Sequence, residues 1–284
     1  MYKTLLKRFA ILIVVTGIAG QFLGCYAPGI RPIATTAIDG PPSFNVDVSK
    51  IPDAEPKFEP RSAYGNHQSY IVYGKRYHVL KSSENYVERG IASWYGTKFH
   101  SKRTSSGEPY SMVTMTAAHK TLPLPTYVQV TNLANHKKVI VKVNDRGPFR
   151  DNRIIDLSYV AAKKLGITAT GTGLVEIRAI NPRSYALATP LHVIEAKPLL
   201  ALKQNPSPRL YLQIGAFSKR ENAEQLLNKI EKMTDATTSI HSTVRNDKTL
   251  YRVQIGPLVS VNRSDTLHKA LKQSGFGDPV TVIQ

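Results

Sequence analysis

Short apolar or alternating runs, separated by turn residues, fill the middle of the chain between about residue 70 and residue 180. They are rich in β-branched and aromatic residues, a composition typical of β-strands. The runs are IVYG (71–74), YHVL (77–80), GIASWYG (90–96), YVQVTNL (127–133), KKVIVKV (137–143) and GLVEIRAI (173–180). One helix is predicted from Leu157 to Leu165, with Asp156 as its N-cap and Gly166 as its C-terminal stop. Many short strands with so few helices predict a small closed or partly closed β-barrel.

An internal repeat marks residues 209–284, where YLQIGAF (211–217) is echoed by YRVQIGPL (251–258). Each copy begins as a strand and leads into a helix-like segment, over 220–233 and 263–274. The order β-α-β-β-α-β predicts a four-stranded antiparallel sheet with two helices on one face. The other face is then open for binding. We assign to it the polar side chains that alternation separates from Ile214 and Ile255, namely Tyr211, Gln213, Tyr251 and Gln254.

The segments on either side of the barrel region differ from it in composition and lack its strand-like pattern. Residues 1–24 combine a basic start with an apolar stretch shorter than the roughly 20 residues of a membrane span, as in an export signal. Cys25, the only cysteine, follows directly, which is typical of a lipidated N-terminal cysteine; the alternative is a buried free thiol. The proline-rich residues 25–68 and 182–208 are predicted to be a tether and a linker.

The composition and charge limit the classes of partner. With 42% hydrophobic and 20% charged residues the chain is not wholly disordered. The formal net charge of +18 indicates an anionic partner, and export excludes nucleic acid. No His/Cys/Asp cluster has metal-ligand spacing, TATGTGL (168–174) lacks the lysine of a phosphate loop, and no Gly-x-Ser-x-Gly motif is present. We therefore expect neither a metal nor a cofactor.

Three long motifs are similar to those of the rare lipoprotein A family. They are GIASWYGTKFHSKRTSSGEPY (90–110), MTAAHKTLPLPTYVQVTNL (115–133) and VKVNDRGPFRDNRIIDLSYVAAKKLG (141–166). Residues 209–284 resemble the sporulation-related repeat (SPOR) domain that often follows in this family. The resemblance implies a double-psi β-barrel over residues 69–181 and, over 209–284, a SPOR domain that binds peptidoglycan glycan strands.

The same resemblance implies a function and a location. The expected activity is that of an endolytic lytic transglycosylase, which cleaves MurNAc–GlcNAc bonds in peptide-free glycan strands and leaves 1,6-anhydroMurNAc ends at the division septum. The expected location is the outer membrane facing the periplasm, since Tyr26 stands where an Asp often signals inner-membrane retention in enteric bacteria. The free carboxylates of peptide-free strands would match the positive charge of the chain.

Asp145, at the end of the strand VIVKV, is the expected acid/base because its backbone is held by the strand while its side chain can face a groove. The alternative role is a turn-capping carboxylate before Gly147. Glu108 is the expected neighbour that raises the pKa of Asp145, and Arg146 opposes it unless it pairs elsewhere. The remaining expected site residues are His119, as a hydrogen-bond donor or a structural residue, and one of the pair Trp94 and Tyr95, as a sugar-stacking ring.

Two hypotheses about function follow from these residues. The first is the lytic transglycosylase, favoured because Glu108, His119 and Asp145 are all present. The second is a non-enzymatic septal protein that grips glycan and loosens the wall, as expansins do. The sequence does not separate them, because a complete site can still be catalytically misplaced by about 1 Å.

Overall fold

The computed structural model describes residues 39–150, 152–188, 208–245 and 248–284. The predicted signal peptide, Cys25, the first part of the predicted tether and linker residues 189–207 lie outside these ranges. Among the residues described, no helix has both the length and the apolar character needed to cross a membrane.

A closed six-stranded barrel forms the first domain, as predicted. A hairpin of β1 (Ser69–Val72) and β2 (Lys75–His78) precedes it. The barrel strands are β3 (Val87–Tyr95), β4 (Thr116–His119), β5 (Thr126–Asn132), β6 (Lys138–Asp145), β7 (Arg153–Ser158) and β8 (Thr172–Ala179). Their order around the barrel is β3-β7-β4-β6-β5-β8. The pairs β3–β7 and β4–β6 are parallel, and the other four pairs are antiparallel.

The barrel interior is filled by alternate residues of its strands, in keeping with the two-residue period of a β-strand. Ala117, Val143 and Leu157 lie side by side on β4, β6 and β7, and all three are fully buried in one apolar cluster. The residues that follow in each strand therefore face outward. Because these three strands are in register at the inner row, the outward-facing side chains next to it lie beside one another on the barrel surface.

Helix α1 (Tyr159–Leu165) lies between β7 and β8, and helix α2 (Pro182–Ala188) follows β8. The N-cap of α1 is Ser158, whose hydroxyl accepts a hydrogen bond from Ala161 N, and Gly166 ends the helix at φ 75°. The predicted end is confirmed, but the predicted cap is wrong. Asp156 belongs to β7, because the strand continues for two residues beyond it and supplies its own serine cap.

The second domain has the predicted βαββαβ order. Its elements are β9 (Leu210–Phe217), α3 (Arg220–Glu231), β10 (Thr238–Arg245), β11 (Lys248–Leu258), α4 (Val261–Gln273) and β12 (Val280–Ile283). The sheet is antiparallel, in the order β10-β11-β9-β12. Ile230 of α3 and Leu271 of α4 pack against Leu212 and Ile255, so both helices cover the same sheet face.

The predicted tether is shorter than expected, because residues from 39 onward belong to the barrel domain. Val48 and Ile51 pack against the barrel core. The Asp53 carboxylate accepts hydrogen bonds from Ile140 N at 2.9 Å and from Lys164 Nζ at 2.8 Å. Asp39 accepts hydrogen bonds from the backbone of the loop after β3. Buried apolar contacts and backbone hydrogen bonds of this kind hold the segment to the barrel.

Candidate active site

Four residues in register on neighbouring strands form the floor of the candidate site. Ser93 on β3 pairs with Asp156 on β7, Asp156 pairs with Ala118 on β4, and Ala118 pairs with Asp145 on β6. Paired residues in a sheet project to the same face. The row therefore carries two carboxyl groups with a small alanine between them, and from strand spacing their Cα atoms lie about 10 Å apart.

A register shift in β6 brings Asp145 into this row. Strict alternation would place Asp145 on the same side as the buried Val143. Between Ala117 and Ala118 the partner on β6 advances by two residues, from Val143 to Asp145, which leaves Asn144 as the extra residue. Such a β-bulge re-aims the side chain that follows it. The bulge is thus the reason that Asp145 reaches the outer surface.

A cavity of about 540 Å³ lies over the row, within the usual size of a ligand site. All four residues of the row line it. The loop after β6 supplies Gly147, Pro148, Phe149 and Arg150, and the N-terminal segment supplies Asp39. Among the described residues no group of three or more His, Cys, Asp or Glu could hold a metal ion.

Asp145 is held at one oxygen and open at the other. Its Oδ1 accepts hydrogen bonds from Ser105 N, Ser105 Oγ and Arg146 N, each 2.7 Å long. An oxygen that accepts three hydrogen bonds has no room for a proton of its own. Oδ2 has no hydrogen-bond partner among the described residues. A proton taken up by Asp145 therefore goes to Oδ2, and the backbone contacts fix where that atom lies.

Asp156 is the residue that sequence reasoning missed. Burial raises the pKa of its carboxyl above the ordinary value, although the Ser93 hydrogen bond and the charges of Arg153, Lys120 and Arg150 oppose the change. Ser93 Oγ donates the hydrogen bond to Asp156 Oδ1. A carboxyl whose pKa is raised and that opens into a cavity is suited to act as a general acid. The signal in the sequence was the run RIIDLS, which also fits a strand with Asp156 facing outward.

Arg146 pairs elsewhere. Its guanidinium donates to the carbonyl oxygens of Gly65 at 2.8 Å, Leu122 at 2.6 Å and His119 at 3.2 Å. These bonds tie the loop after β6 to the loop after β4 and to the N-terminal segment. Since none of these partners is a carboxylate, Arg146 acts as a half-buried cross-link in the wall of the cavity.

Glu108 lies in the neighbouring loop but does not line the cavity. Its carboxylate oxygens accept from Lys142 Nζ at 2.8 Å and from Asn144 Nδ2 at 2.7 Å. Burial favours the protonated form, but these two hydrogen bonds outweigh it and lower the pKa of Glu108 below its ordinary value. The expected role of raising the pKa of Asp145 is therefore not supported. Glu108 instead holds the loop of Ser105 against the bulge at Asn144.

His119 is buried behind the cavity, with 2% of its surface exposed, and does not line it. Its Nδ1 accepts hydrogen bonds from Thr121 N and Leu122 N, so the ring carries its proton on Nε2, next to Tyr86 Oη at 3.2 Å. Burial lowers the pKa of His119 below its ordinary value, against the opposing effect of Glu88. The structure thus supports the structural alternative: His119 shapes the loop whose carbonyls receive Arg146.

Aromatic side chains surround the cavity. Trp94 is half-buried beside Tyr159, whereas Tyr95 is 7% exposed and stacks on Tyr110 with ring centroids 4.0 Å apart. Both line the cavity, but Trp94 offers the more accessible ring. Tyr73, which the sequence did not single out, is 92% exposed at the tip of the β1–β2 hairpin and lines the same cavity. Exposed rings at a cavity rim suit the apolar faces of sugars.

Three of the four side chains expected on the open face of the second sheet lie on the side away from the helices. Tyr211 and Gln254 are mostly buried there, at 7% and 2% exposed, and Gln213 is half-buried and pairs with Gln254. Tyr251 lies on the other face and packs against the apolar cluster under the helices. The expectation for Tyr251 was wrong because it lies two residues before Val253 and four before Ile255, which are both core positions.

Comparisons with known proteins find matches to both domains. Residues 87–178 match the family described as lytic transglycolase, and residues 206–282 match the SPOR domain. The chain is 40% identical over 288 residues to the endolytic peptidoglycan transglycosylase RlpA of Pseudomonas aeruginosa strain UCBPP-PA14, covering 86% of this chain and 84% of that protein. It is 37% identical over 253 residues to the protein of the same name from Vibrio cholerae, covering 89% of each. The solved SPOR domain of the P. aeruginosa protein is 37% identical, with 26% of this chain and 96% of that chain covered and a TM-score of 0.25.

Proposed function

Because the chain belongs to the rare lipoprotein A (RlpA) family, we propose that it is an endolytic peptidoglycan transglycosylase whose chemistry takes place between Asp145 and Asp156. The observation that carries this proposal is the row of registered residues on the cavity floor, with a carboxyl on each side of Ala118. Burial raises the pKa of the Asp156 carboxyl, and the hydrogen bonds to Oδ1 of Asp145 leave its Oδ2 without a partner among the described residues.

Lytic cleavage divides the proton transfers between the two carboxyl groups. Asp156 gives its proton to the glycosidic oxygen as the bond from that oxygen to C1 of MurNAc breaks. The C6 hydroxyl of the same MurNAc attacks C1 and loses its proton to Asp145 Oδ2. The products are a 1,6-anhydro ring and a GlcNAc with a free 4-hydroxyl, so atoms and charge balance without water. Exchange with solvent returns the two carboxyl groups to their starting states.

Glu108 and His119 act as positioning residues in this proposal. Glu108 bonds to Asn144 and thereby fixes the bulge that aims Asp145, while its loop presents Ser105 to Asp145 Oδ1. His119 orders the loop that receives Arg146, the residue next to Asp145. Both act through hydrogen bonds to neighbours of the reacting group, which is how supporting residues hold a site within its working tolerance.

The substrate and location in this proposal are peptide-free glycan strands at the division septum. The match to the SPOR domain over residues 206–282 supports glycan binding by the C-terminal domain. The basic charge of the chain supports a polyanionic substrate. Lipidation of Cys25 would anchor the protein in the outer membrane on its periplasmic side, and the signal-like pattern of residues 1–24 supports this.

The test is a product analysis with the detergent-solubilised full-length chain. Stripped and peptide-bearing peptidoglycan would be incubated with the wild type and with Asp145→Asn, and the released fragments analysed by mass. Anhydro ends from the wild type, strongly reduced in the variant, are the expected result. Ordinary reducing ends would mean hydrolysis. Strand binding without any product from either protein would instead support the non-enzymatic, wall-loosening role.

A further inference from the structure

Four cationic residues line the cavity, and they differ in what they contact: Lys98, Arg146, Arg150 and Arg153. The Arg146 guanidinium donates hydrogen bonds to backbone carbonyl oxygens. The Arg153 guanidinium points to Asp265, at 3.9 Å. Within the described ranges of the chain, the charged groups of Lys98 and Arg150 have no hydrogen bond or ion pair. Two cations at this cavity therefore have their charge available for a ligand.

The backbone of Lys98 is held in place, and Arg150 follows a residue whose ring is packed. Lys98 N donates to Asp39 Oδ1 at 3.0 Å, and its Nζ lies 6.0 Å from the centre of the Phe99 ring. Arg150 follows Phe149, whose ring packs at 5.7 Å from Tyr77. Cations with a fixed backbone and a free charge lose less conformational entropy on binding than those on a loose loop.

We propose that Lys98 and Arg150 form an anion subsite that binds the free lactyl carboxylate of MurNAc, so that the barrel itself distinguishes peptide-free strands from peptide-bearing ones. This inference rests on the proposed function of the same cavity. A stem peptide converts the lactyl carboxylate into a neutral amide, which removes the charge that these cations attract and adds bulk. Arg150 suits a carboxylate because its planar guanidinium donates two parallel hydrogen bonds.

A substrate carboxylate bound in this subsite also changes the pKa of Asp156, the proposed acid. Lys120, Arg150 and Arg153 face Asp156 and lower the pKa that burial raises, while Tyr95 and Tyr110 lie nearby. A substrate carboxylate bound to Arg150 offsets one of these positive charges and places a negative charge beside the cavity. This change in the local charge raises the pKa of Asp156 further. The correct substrate thus helps the acid to keep its proton.

The experiment separates the effect of the lactyl charge from the effect of the size of the stem peptide. Stripped strands would be compared with the same strands after carbodiimide coupling to methylamine, which turns each lactyl carboxylate into a small neutral amide. Cleavage and equilibrium binding by the full-length chain would be measured for the wild type, Lys98→Gln, Arg150→Gln, Arg150→Lys and the control Lys102→Gln. Lys102 is a matched control because its Nζ also lies over Phe99, at 5.8 Å, but it does not line the cavity.

The expected result is a wild-type preference for the carboxylate strands in kcat/KM. Each Gln variant should lower that preference about two- to fivefold, the effect of one exposed ion pair, while Arg150→Lys keeps most of it and Lys102→Gln all of it. The alkaline limb of the wild-type pH profile should lie at higher pH with carboxylate strands than with amidated ones, and Arg150→Gln should remove this difference.

Equal use of the two substrates by the wild type would overturn the subsite while leaving the transglycosylase intact. If no cleavage occurs with either substrate, the proposed function fails, and the subsite is then judged by binding alone. The Gln variants retain the whole second domain. A loss of carboxylate-dependent binding in these variants would still support the subsite, and unchanged binding would refute it.

Discussion

Replacing Asp156 by Asn should remove the proton donor and leave the fold in place. Asn has nearly the same volume, and its side-chain oxygen can still accept the hydrogen bond from Ser93. The amide has no proton to give to a leaving oxygen. Asp145 cannot take over this task, because it lies on the other side of Ala118 and is placed to receive a proton.

The expected loss of activity follows from what a general acid contributes. That contribution is about 10²–10⁴-fold in rate. Because leaving-group protonation has no substitute on this cavity floor, we expect a fall in kcat of about 10³-fold, which corresponds to about 4 kcal/mol at the transition state. KM should change little, since the shape of the floor is kept.

The substitution should lower kcat but should not lower the free energy of unfolding at alkaline pH. The folded-state pKa of Asp156 lies above its unfolded value. Its contribution to stability is therefore fully present below the unfolded pKa and is lost as the pH rises through the folded pKa. The Asn variant has no such titration, so at pH 8 its free energy of unfolding should equal or exceed that of the wild type.

The assay would combine single-turnover cleavage of stripped strands with denaturant unfolding over a range of pH. Glu176→Gln is the matched control, because Glu176 is a half-buried carboxylate on β8 that pairs with Arg89 at 2.9 Å and does not line the cavity. A loss of less than about tenfold in Asp156→Asn, with the control unchanged, would refute the assignment of the acid. A variant that is markedly less stable than wild type at pH 8 would refute the electrostatic argument.

Three further predictions concern the surroundings of the row. Ala118→Leu should fill the cavity floor and raise KM at least about tenfold with a folded barrel, and unchanged steady-state kinetics would contradict this. Tyr73→Ala should leave the unfolding midpoint unchanged, because the ring is 92% exposed, but raise KM about two- to tenfold through lost stacking; an unaltered KM would exclude a sugar contact. Glu108→Gln weakens the bonds to Lys142 and Asn144 and should cost less than about 1 kcal/mol of stability at neutral pH. Because the pKa of Glu108 is lowered, that difference should vanish in unfolding curves as the pH falls through it, and a pH-independent difference would disprove the charge effect.

The strand pattern of the barrel could be predicted because its apolar runs alternate over several residues. The missed strands, β4 and β7, are short or mixed in character: TAAH has only four residues, and RIIDLS runs directly into a helix. Local patterns favoured a helix cap at Asp156, since Asp is a good cap residue. Only pairing with β3 and β4, which are distant in sequence, shows that this segment is a strand.

The candidate site was partly predictable for a similar reason. Asp145 was identified from its place at a strand end, and the structure does bring it to the cavity. The expected effect of Glu108 on Asp145 is not supported, because the Glu108 carboxylate forms an ion pair with Lys142, which lies on β6 as Asp145 does. The bulge at Asn144 has no local signal, because a register shift is a property of two strands and appears in neither sequence alone.

The position of Ser158 has a consequence for the closing of the barrel. Side chains on a strand alternate, so a slip of β7 by one residue against β3 would turn Asp156 into the apolar interior and Ile155 or Leu157 outward. Ser158 ends β7 and starts α1 only two residues beyond Asp156, and its hydroxyl is committed to Ala161 N. The first turn of α1 therefore helps to fix the register of β7 against β3. The exposure of Asp156 to the cavity is therefore coupled to the residue at which α1 begins.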